Sequence, residues 1–545
     1  MRKQSTRGSR LARLCAAGMM AFCAMTAPAA AQGADQRAAA VPRPSTRPNI
    51  IFILTDDQRF DELGFLNPEI RTPVLDRMAR EGVHLKNAFV TTSLCSPSRA
   101  SILTGRYMHD HRIVDNNAAD ERGLSFFPQL LQNAGYQTAF FGKWHMGAIS
   151  DDPRPGFNRW VSFEGQGVYW PRLPNGQIAQ LNVDGRHVAQ KGYITDELTD
   201  YALDWLKQRD ATKPFFLYLS HKALHADFQP AVRHRDLYRD TPITLPPSDE
   251  GQERPMWAQN QRNSWHGVEF PYHSTLDLRE YKRRYHQTLA AVDESTGKVL
   301  NLLRRRGLLD NTLVIFMGDN GFMFGEHGLI DKRNAYEESM RVPMIAYGPG
   351  LIGRGRTVSD MVANLDIAPT LLDFAGVSAP ASYAGASFKP QLQGSTPARP
   401  WRSALLYEYF WEYNYPQTPT TFALRTDHYK LIQYHGVWDT EELYDLKADP
   451  RENRNLIAEP ALQTQIARMR QELFAQLGAG GAGHTVSYTE RVGEGSTFRR
   501  ADGSTAAPFP DRWLRTGRER DLQDATKQEG KGGSNDNIVK GESTG

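Results

Sequence analysis

The residues Asn49–Leu54 (N-I-I-F-I-L) form a short apolar run with no polar interruption, the pattern of a strand buried on both faces. Similar runs follow at Thr138–Phe141, Phe215–Leu219, Leu313–Met317 and Val342–Tyr347. Helical patterns lie between them, at Thr72–Glu81, Phe127–Ala134, Asp196–Gln208 and Tyr281–Arg306. Strands that alternate with helices and show no polar face predict an α/β fold, a large, mostly parallel sheet sandwiched by helices. The pattern changes near residue 400. Ala404–Tyr409, Thr421–Leu424 and Tyr429–Tyr434 read as antiparallel strands, and Pro460–Leu477 as a closing helix. The expected organisation is a main domain over 48–399 and a small C-terminal α+β subdomain over 400–477. The Gly-, Ser- and Thr-rich stretch 478–545 reads as a low-complexity tail.

In an open α/β sheet, ligands bind beyond the carboxyl ends of the strands. The residues that follow each predicted strand are therefore informative. They are Thr55-Asp56-Asp57, then Gly142-Lys143-Trp144-His145, then Ser220 to His225, and finally Gly318-Asp319-Asn320-Gly321. Taken singly, an Asp or Asn there is as readily a helix cap or a turn. Lys and His are not preferred caps, and four polar strand ends on one edge would converge. Asp56, Asp57, Asp319 and Asn320 offer only oxygen, the donor set of a hard cation such as Ca²⁺ or Mg²⁺. Lys143, His145, His225 and Arg99 add positive charge and a proton donor. A cation with Lys, Arg and His suits hydrolysis of a sulfate or phosphate ester, and these residues alone do not separate the two.

The N-terminus reads as a signal peptide over 1–31. Arg2, Lys3, Arg7, Arg10 and Arg13 precede an apolar stretch, and Ala29-Ala30-Ala31 is a small-residue cleavage signature. Residues 32–47 read as a linker. The expected location is periplasmic or secreted. The apolar stretch is too short for a bilayer, and no later run suggests a membrane span. The chain has 65 Lys+Arg against 62 Asp+Glu; cleavage would remove five basic and no acidic residues, leaving 60 against 62. The mature chain is thus near neutral, which gives no argument for nucleic-acid binding. Of the three cysteines, Cys15 and Cys23 leave with the signal, so Cys95 has no disulfide partner. A lone thiol in an oxidising compartment is expected to be buried, reactive or modified.

Cys95 opens the stretch Cys-Ser-Pro-Ser-Arg-Ala-Ser-Ile-Leu-Thr-Gly-Arg at 95–106. Pro97 suits the first turn of a helix, which would put Cys95 at a helix N-terminus where an anion is favoured. Cys95-Ser96-Pro97-Ser98-Arg99, followed by Leu103-Thr104-Gly105-Arg106, resembles the signature of the type I, formylglycine-dependent sulfatases of the alkaline phosphatase superfamily. The other motifs of that family occur in order. They are Asp56-Asp57, Gly142-Lys143-Trp144-His145, His225, Gly318-Asp319-Asn320-Gly321 and Lys332. The likeness extends to Glu442-Leu443-Tyr444-Asp445-Leu446 and Asp449-Pro450, and covers roughly residues 48–477. Local pattern at Gly325-Glu326-His327-Gly328 and Asp331-Lys332-Arg333 resembles N-acetylglucosamine-6-sulfatases and mucin-desulfating enzymes.

The resemblance implies an alkaline-phosphatase-like fold and hydrolysis of sulfate esters, with a sulfated small molecule or carbohydrate as substrate. It implies that a separate maturation enzyme oxidises Cys95 to formylglycine (3-oxoalanine). That aldehyde hydrates to a gem-diol, one hydroxyl of which attacks sulfur while the other allows the covalent sulfate to be expelled. It implies that Asp56, Asp57, Asp319 and Asn320, with the modified Cys95, hold Ca²⁺, Mg²⁺ remaining possible. Arg99 and His145 would stabilise the gem-diol, Lys143 and Lys332 would bind sulfate oxygens, and His225 would protonate the leaving alcohol. His225 is preferred to His221 because the family histidine lies a few residues past its strand; His221 reads as structural. The stretch Phe157–Tyr193, with Trp160, Phe163, Tyr169, Trp170 and Tyr193, reads as an aromatic loop bordering the pocket. Two other readings stay open: a phosphonate monoester or phosphodiester hydrolase of the same superfamily, and a non-catalytic carbohydrate-binding relative.

Overall fold

The structure is a computed structural model, and it describes residues 47–117, 121–146, 150–246, 255–263, 277–412, 415–435 and 440–479. The signal segment, nearly all of the linker and the tail from residue 480 lie outside the described residues. In chain order the strands are β1 (Asn49–Thr55), β2 (Val83–Leu85), β3 (Ala88–Phe89), β4 (Gln137–Gly142), β5 (Arg159–Ser162), β6 (Gln180–Val183), β7 (Arg186–Ala189) and β8 (Phe215–Ser220). They continue with β9 (Thr312–Gly318), β10 (Met344–Tyr347), β11 (Arg356–Val358), β12 (Val362–Ala363), β13 (Ala404–Tyr409), β14 (Thr420–Thr426), β15 (Tyr429–His435) and β16 (Thr440–Asp445).

Ten of these strands form one sheet in the order β11-β2-β10-β9-β1-β8-β4-β5-β6-β7. Its centre, β9-β1-β8-β4-β5, is parallel throughout. Every residue of β1 is buried, and the period of two sends alternate side chains to opposite faces. Ile50, Phe52 and Leu54 join one apolar cluster with Ala100, Ile102 and Leu103 of helix α2 (Cys95–Thr104). Ile51 and Ile53 join another with Leu75 and Met78 of helix α1 (Pro73–Glu81) and with Leu289, Val292 and Leu303 of the Leu278–Arg305 helix. The sheet is therefore covered on both faces, as its unbroken apolar runs predict. Burying each such Ile or Leu contributes about 2 kcal/mol.

Two regions differ from the expectation. Strand β10 runs antiparallel to β9; an unbroken apolar run reports burial and carries no information about direction. Phe157–Tyr193 is not simply a loop, since β5, β6 and β7 extend the sheet there. The hairpin between β6 and β7 turns at Asp184-Gly185, both at positive φ (51° and 86°), the conformation that the D-G pair favours. Most of the aromatic side chains of this stretch serve packing: Trp160 stacks on Phe140 at 4.6 Å, and Phe163, Tyr169 and Tyr193 are buried in the core.

The C-terminal sheet is antiparallel, in the order β13-β14-β15-β16. Leu406, Leu424, Leu431 and Leu443 pack against Ile466, Met469, Leu473 and Leu477 of the Gln463–Ala479 helix. Its fourth strand, β16, was not anticipated. The sheet backs onto the segment leading to α2: the Glu408 amide donates to Thr91 O at 2.8 Å, and the Ser93 amide to the Tyr407 hydroxyl at 3.4 Å.

Candidate active site

Strand register makes the site. Thr55 pairs with Gly318, Leu54 with Ser220, and Ser220 with Gly142, so the chain leaves four strands at one level. Asp56-Asp57, Lys143, His221 and Asp319-Asn320 emerge side by side. Gly142 is required here: its φ is +124°, and a Cβ would run into the Ser220 carbonyl oxygen. Asp57 and His145 also take positive φ, 53° and 50°, a cost that non-glycine residues accept where the surroundings dictate the geometry.

Asp56, Asp57 and Asp319 are fully buried, and each places a carboxylate oxygen within 4.8 Å of the others. Asp57 accepts from Lys332 Nζ at 2.6 and 2.7 Å and from Asn320 Nδ2 at 2.6 Å. Asp319 accepts from Arg99 Nε at 2.9 Å and from the Asp57 amide at 3.0 Å. Asp56 is ion-paired with Lys143, whose ammonium also donates to Gln166 Oε1 at 2.5 Å. Burial alone would raise the Asp56 carboxyl, but Lys143, His225, Arg99 and Lys332 together hold it well below the usual range. Asp319 goes the other way, pushed up by burial and by the Asp56 charge. Asn320 Oδ1 is buried and accepts no hydrogen bond. A buried carbonyl oxygen without a donor, beside three convergent carboxylates, fits a hard divalent cation: it is an all-oxygen donor set with one acceptor left over.

Cys95 is the first residue of α2, and its Sγ lies 3.5 Å from Asp56 Oδ1. Helix α2 is buried along its whole length and ends at Gly105 in the left-handed conformation. Asn364 holds it from behind, with Nδ2 donating to Ser98 Oγ at 2.9 Å. One turn on, Arg99 Nη1 donates to Lys143 O at 2.6 Å and to Ser220 Oγ at 2.7 Å, tying together α2, the end of β4 and the end of β8. Burial and the Asp56 charge push the Cys95 thiol above its ordinary value.

His225 Nε2 is 3.9 Å from Asp57 Oδ2, and its Nδ1 faces Ala226 O at 2.7 Å. His145 is buried with Nδ1 unpartnered; burial, Lys143 and Arg99 hold it well below the ordinary histidine range, in the neutral form. The structure thus brings Asp56, Asp57, Cys95, Arg99, Lys143, His145, His225, Asp319, Asn320 and Lys332 to one end of the sheet. His221 turns away to Ser295 Oγ at 3.3 Å, beneath the Leu278–Arg305 helix.

Sequence reasoning passed over several neighbours. Gln166 and Tyr169 come from the Phe157–Tyr193 stretch; the Tyr169 hydroxyl donates to His225 O at 2.7 Å. Tyr285 donates to Asp57 O at 3.0 Å. Lys222 lies with its ammonium 4.8 Å from the centre of the Tyr169 ring. Only its position between two histidines under scrutiny drew attention to that segment.

A profile of the Sulfatase family matches residues 48–377, more than half of the chain. The chain belongs to the sulfatase family. It is a sulfuric ester hydrolase. A second profile, N-sulphoglucosamine sulphohydrolase C-terminal, matches residues 325–478 of the sulfatase. Among curated relatives, an N-acetylglucosamine-6-O-sulfatase of Bacteroides thetaiotaomicron is 35% identical over 79% of this chain and 86% of its own length. The human N-acetylglucosamine-6-sulfatase is 31% identical over 69% of this chain and 70% of its own. A solved structure of a protein in complex with its substrate D-glucosamine-2-N,6-O-disulfate superposes with a TM-score of 0.73 and 33% identity, covering 82% of this chain and 100% of the other. The phosphonate monoester hydrolase of Agrobacterium radiobacter, with a TM-score of 0.66 and 23% identity over 84% and 99% of the two chains, shares the fold. No helix of the described residues is long and apolar enough to cross a membrane.

Proposed function

We propose that this sulfatase removes sulfate esters from sulfated sugars, with 6-O-sulfated glucosamine units as the leading substrate class. The observation that carries the reading is the 35% identity, over most of both chains, to an N-acetylglucosamine-6-O-sulfatase. Support for a carbohydrate substrate also comes from the fold shared with a protein whose substrate is D-glucosamine-2-N,6-O-disulfate.

Asp56, Asp57, Asp319 and Asn320 are the residues to hold Ca²⁺, or Mg²⁺ in its place. The unpartnered Asn320 Oδ1 supports this role. Bound there, the cation supplies Lewis-acid polarisation of a sulfate oxygen. Cys95, processed by a formylglycine-generating enzyme, supplies an oxygen nucleophile; its place at the start of α2, 3.5 Å from Asp56 Oδ1, supports this role. Lys143 and Lys332 then donate to sulfate oxygens and neutralise charge. His225 hands a proton from Nε2 to the leaving oxygen, its carbonyl pinned by Tyr169. Arg99 and His145 position the nucleophile. Export with cleavage after Ala31 belongs to the same proposal, and an N-terminal sequence starting at Gln32 on the exported protein tests it.

The test of the chemistry is direct. The protein, co-produced with a maturation enzyme, is digested with trypsin, and the peptide Asn87–Arg99 is weighed. An aldehyde at residue 95, with turnover of N-acetylglucosamine 6-sulfate well above that of a phosphate diester, supports the reading. An unmodified thiol beside a correctly matured control substrate counts against it, and faster phosphate diester turnover would move the chain to the phosphonate and phosphodiester hydrolases. Chelation followed by Ca²⁺ return reports on the cation through the thermal transition as well as through activity: at a hundredfold excess over Kd, binding stabilises by about 2.7 kcal/mol.

A further inference from the structure

Lys222 stands apart from the other cations of the site. It is 4% exposed, so nearly all of the residue is out of water. Lys143 is matched by Asp56, Lys332 by Asp57, and Arg99 by Asp319. The Lys222 ammonium makes no hydrogen bond and no ion pair among the described residues, and the Tyr169 ring is the surface it rests on. A cation–π contact offsets only part of the cost of burying an ammonium. Arg99, Lys143 and Lys332 are thus each paired with a carboxylate of the site, and the further acidic neighbour of Lys222, Asp227, is exposed.

The place of Lys222 in the fold gives its charge a direction. It follows β8 directly after His221, and its carbonyl accepts from the His225 amide at 2.9 Å. Tyr169, beneath its ammonium, also fixes His225 through a 2.7 Å hydrogen bond. Lys143, Asp56, Asp227 and Asp57 are the charged groups that act on it. Lys222 therefore neighbours the proposed proton donor, with Tyr169 in contact with both.

We propose that Lys222 is a further substrate-binding residue, its ammonium donating to an anionic oxygen of the bound ester beside Lys143 and His225. The inference rests on the sulfatase reading and deepens it, because it makes negative charge next to the leaving-group side a feature of the substrate. That oxygen belongs either to the sulfate being removed or to a second anionic substituent on the same sugar.

Three probes separate these sources: N-acetylglucosamine 6-sulfate, D-glucosamine-2-N,6-O-disulfate, and inorganic sulfate, the last bound by calorimetry. The matured, Ca²⁺-loaded protein is compared with Lys222→Met and Lys222→Arg. Lys222→Met is expected to raise KM roughly ten- to hundredfold with kcat nearly unchanged, and Lys222→Arg to recover part of the loss. A rise on both esters, with weaker binding of inorganic sulfate, identifies the transferred sulfate as the partner. A rise on the disulfate alone identifies the second anion. Unchanged KM on both esters together with unchanged sulfate binding overturns the proposal, as does a fall in kcat at constant KM. Should Lys222→Met fail to fold, Lys222→Gln takes its place. A wild type that turns over neither ester sinks the proposed substrate class; in that event, binding of sulfate and of the disulfate still reads Lys222, and unchanged binding of both overturns its role.

Discussion

Glu442 and Asp57 are both carboxylates sealed from solvent, yet they are satisfied in opposite ways. Glu442, on β16, accepts from the hydroxyls of Tyr336, Tyr434 and Tyr444 at 2.9, 3.0 and 3.1 Å, with the Trp257 indole N–H at 3.5 Å. Its donors are neutral and come from the protein, so the cluster closes on itself and joins the C-terminal sheet to the rest of the fold. Asp57 lies among charges: Lys332, two further carboxylates, and an Asn320 oxygen with nothing to accept. Burial costs both groups alike. The difference teaches that a buried polar cluster built for stability spends its acceptors internally, whereas one built for chemistry leaves atoms for a ligand to complete.

The sharpest way to break this comparison is to remove Lys332. If the site is completed by a cation, Lys332→Ala loses roughly a thousandfold in kcat/KM, because a charged donor to the transferring group is gone. With Ca²⁺ present its thermal transition stays close to that of the wild type, since Asp57 keeps a counter-charge. With a chelator present the same variant is destabilised by about 3–5 kcal/mol, the cost of leaving a buried carboxylate uncompensated. Thermal unfolding of both proteins with and without Ca²⁺ checks this. An active Lys332→Ala removes the residue from the site, and equal destabilisation in both conditions would mean that Asp57 is closed by the protein alone.

Glu442→Ala is the mirror experiment. It strands three tyrosine hydroxyls and an indole N–H away from water, and is expected to cost about 3 kcal/mol whether or not Ca²⁺ is present. Turnover per folded molecule should stay within a few-fold of the wild type, because Glu442 touches none of the site residues. Denaturant unfolding and active-site-normalised rates check the two parts. A large loss of rate at intact fold would make the cluster a support of the site and would erase the contrast.

How much of this was legible in the chain depended on the kind of signal. Asp56-Asp57, Lys143, His145 and Asp319-Asn320 could be placed together because each follows an apolar run, and parallel strands in register bring such ends to one edge. Cys95 and Arg99 lie one helical turn apart, so both face the same edge once α2 starts at Cys95. The antiparallel course of β10 was hidden because apolar runs do not encode direction. Strands β5 to β7 were obscured by the aromatic composition of their stretch, although Asp184-Gly185 carried a hairpin signal. Gln166 and Lys222 were illegible for a different reason: an amide or an ammonium in a loop becomes part of a site only through burial, which tertiary structure decides.

A third buried carboxylate, Asp293, lies between the two extremes and gives the smallest effect. Its oxygens cap helix α1, accepting from the Val74 amide at 3.1 and 3.2 Å and from the Leu75 amide at 2.9 Å. Burial raises its carboxyl from about 3.8 to about 6; these backbone donors pull it down, while Asp76 and Glu294 push it further up. The folded state therefore holds this proton more tightly than the unfolded chain does. Its contribution to stability is fully present below the ordinary Asp value and is lost as pH rises through about 6. The interval corresponds to at most about 3 kcal/mol. Asp293→Asn keeps an acceptor for the α1 amides and does not titrate, so its stability relative to the wild type should climb between pH 4 and pH 6 by about 1–3 kcal/mol and then level off. Taking the difference between the two proteins at each pH cancels the titration of the active-site carboxylates. A difference that does not change with pH would show that the helix-capping amides hold Asp293 ionised throughout, and would place it with Glu442 among the carboxylates that the protein satisfies by itself.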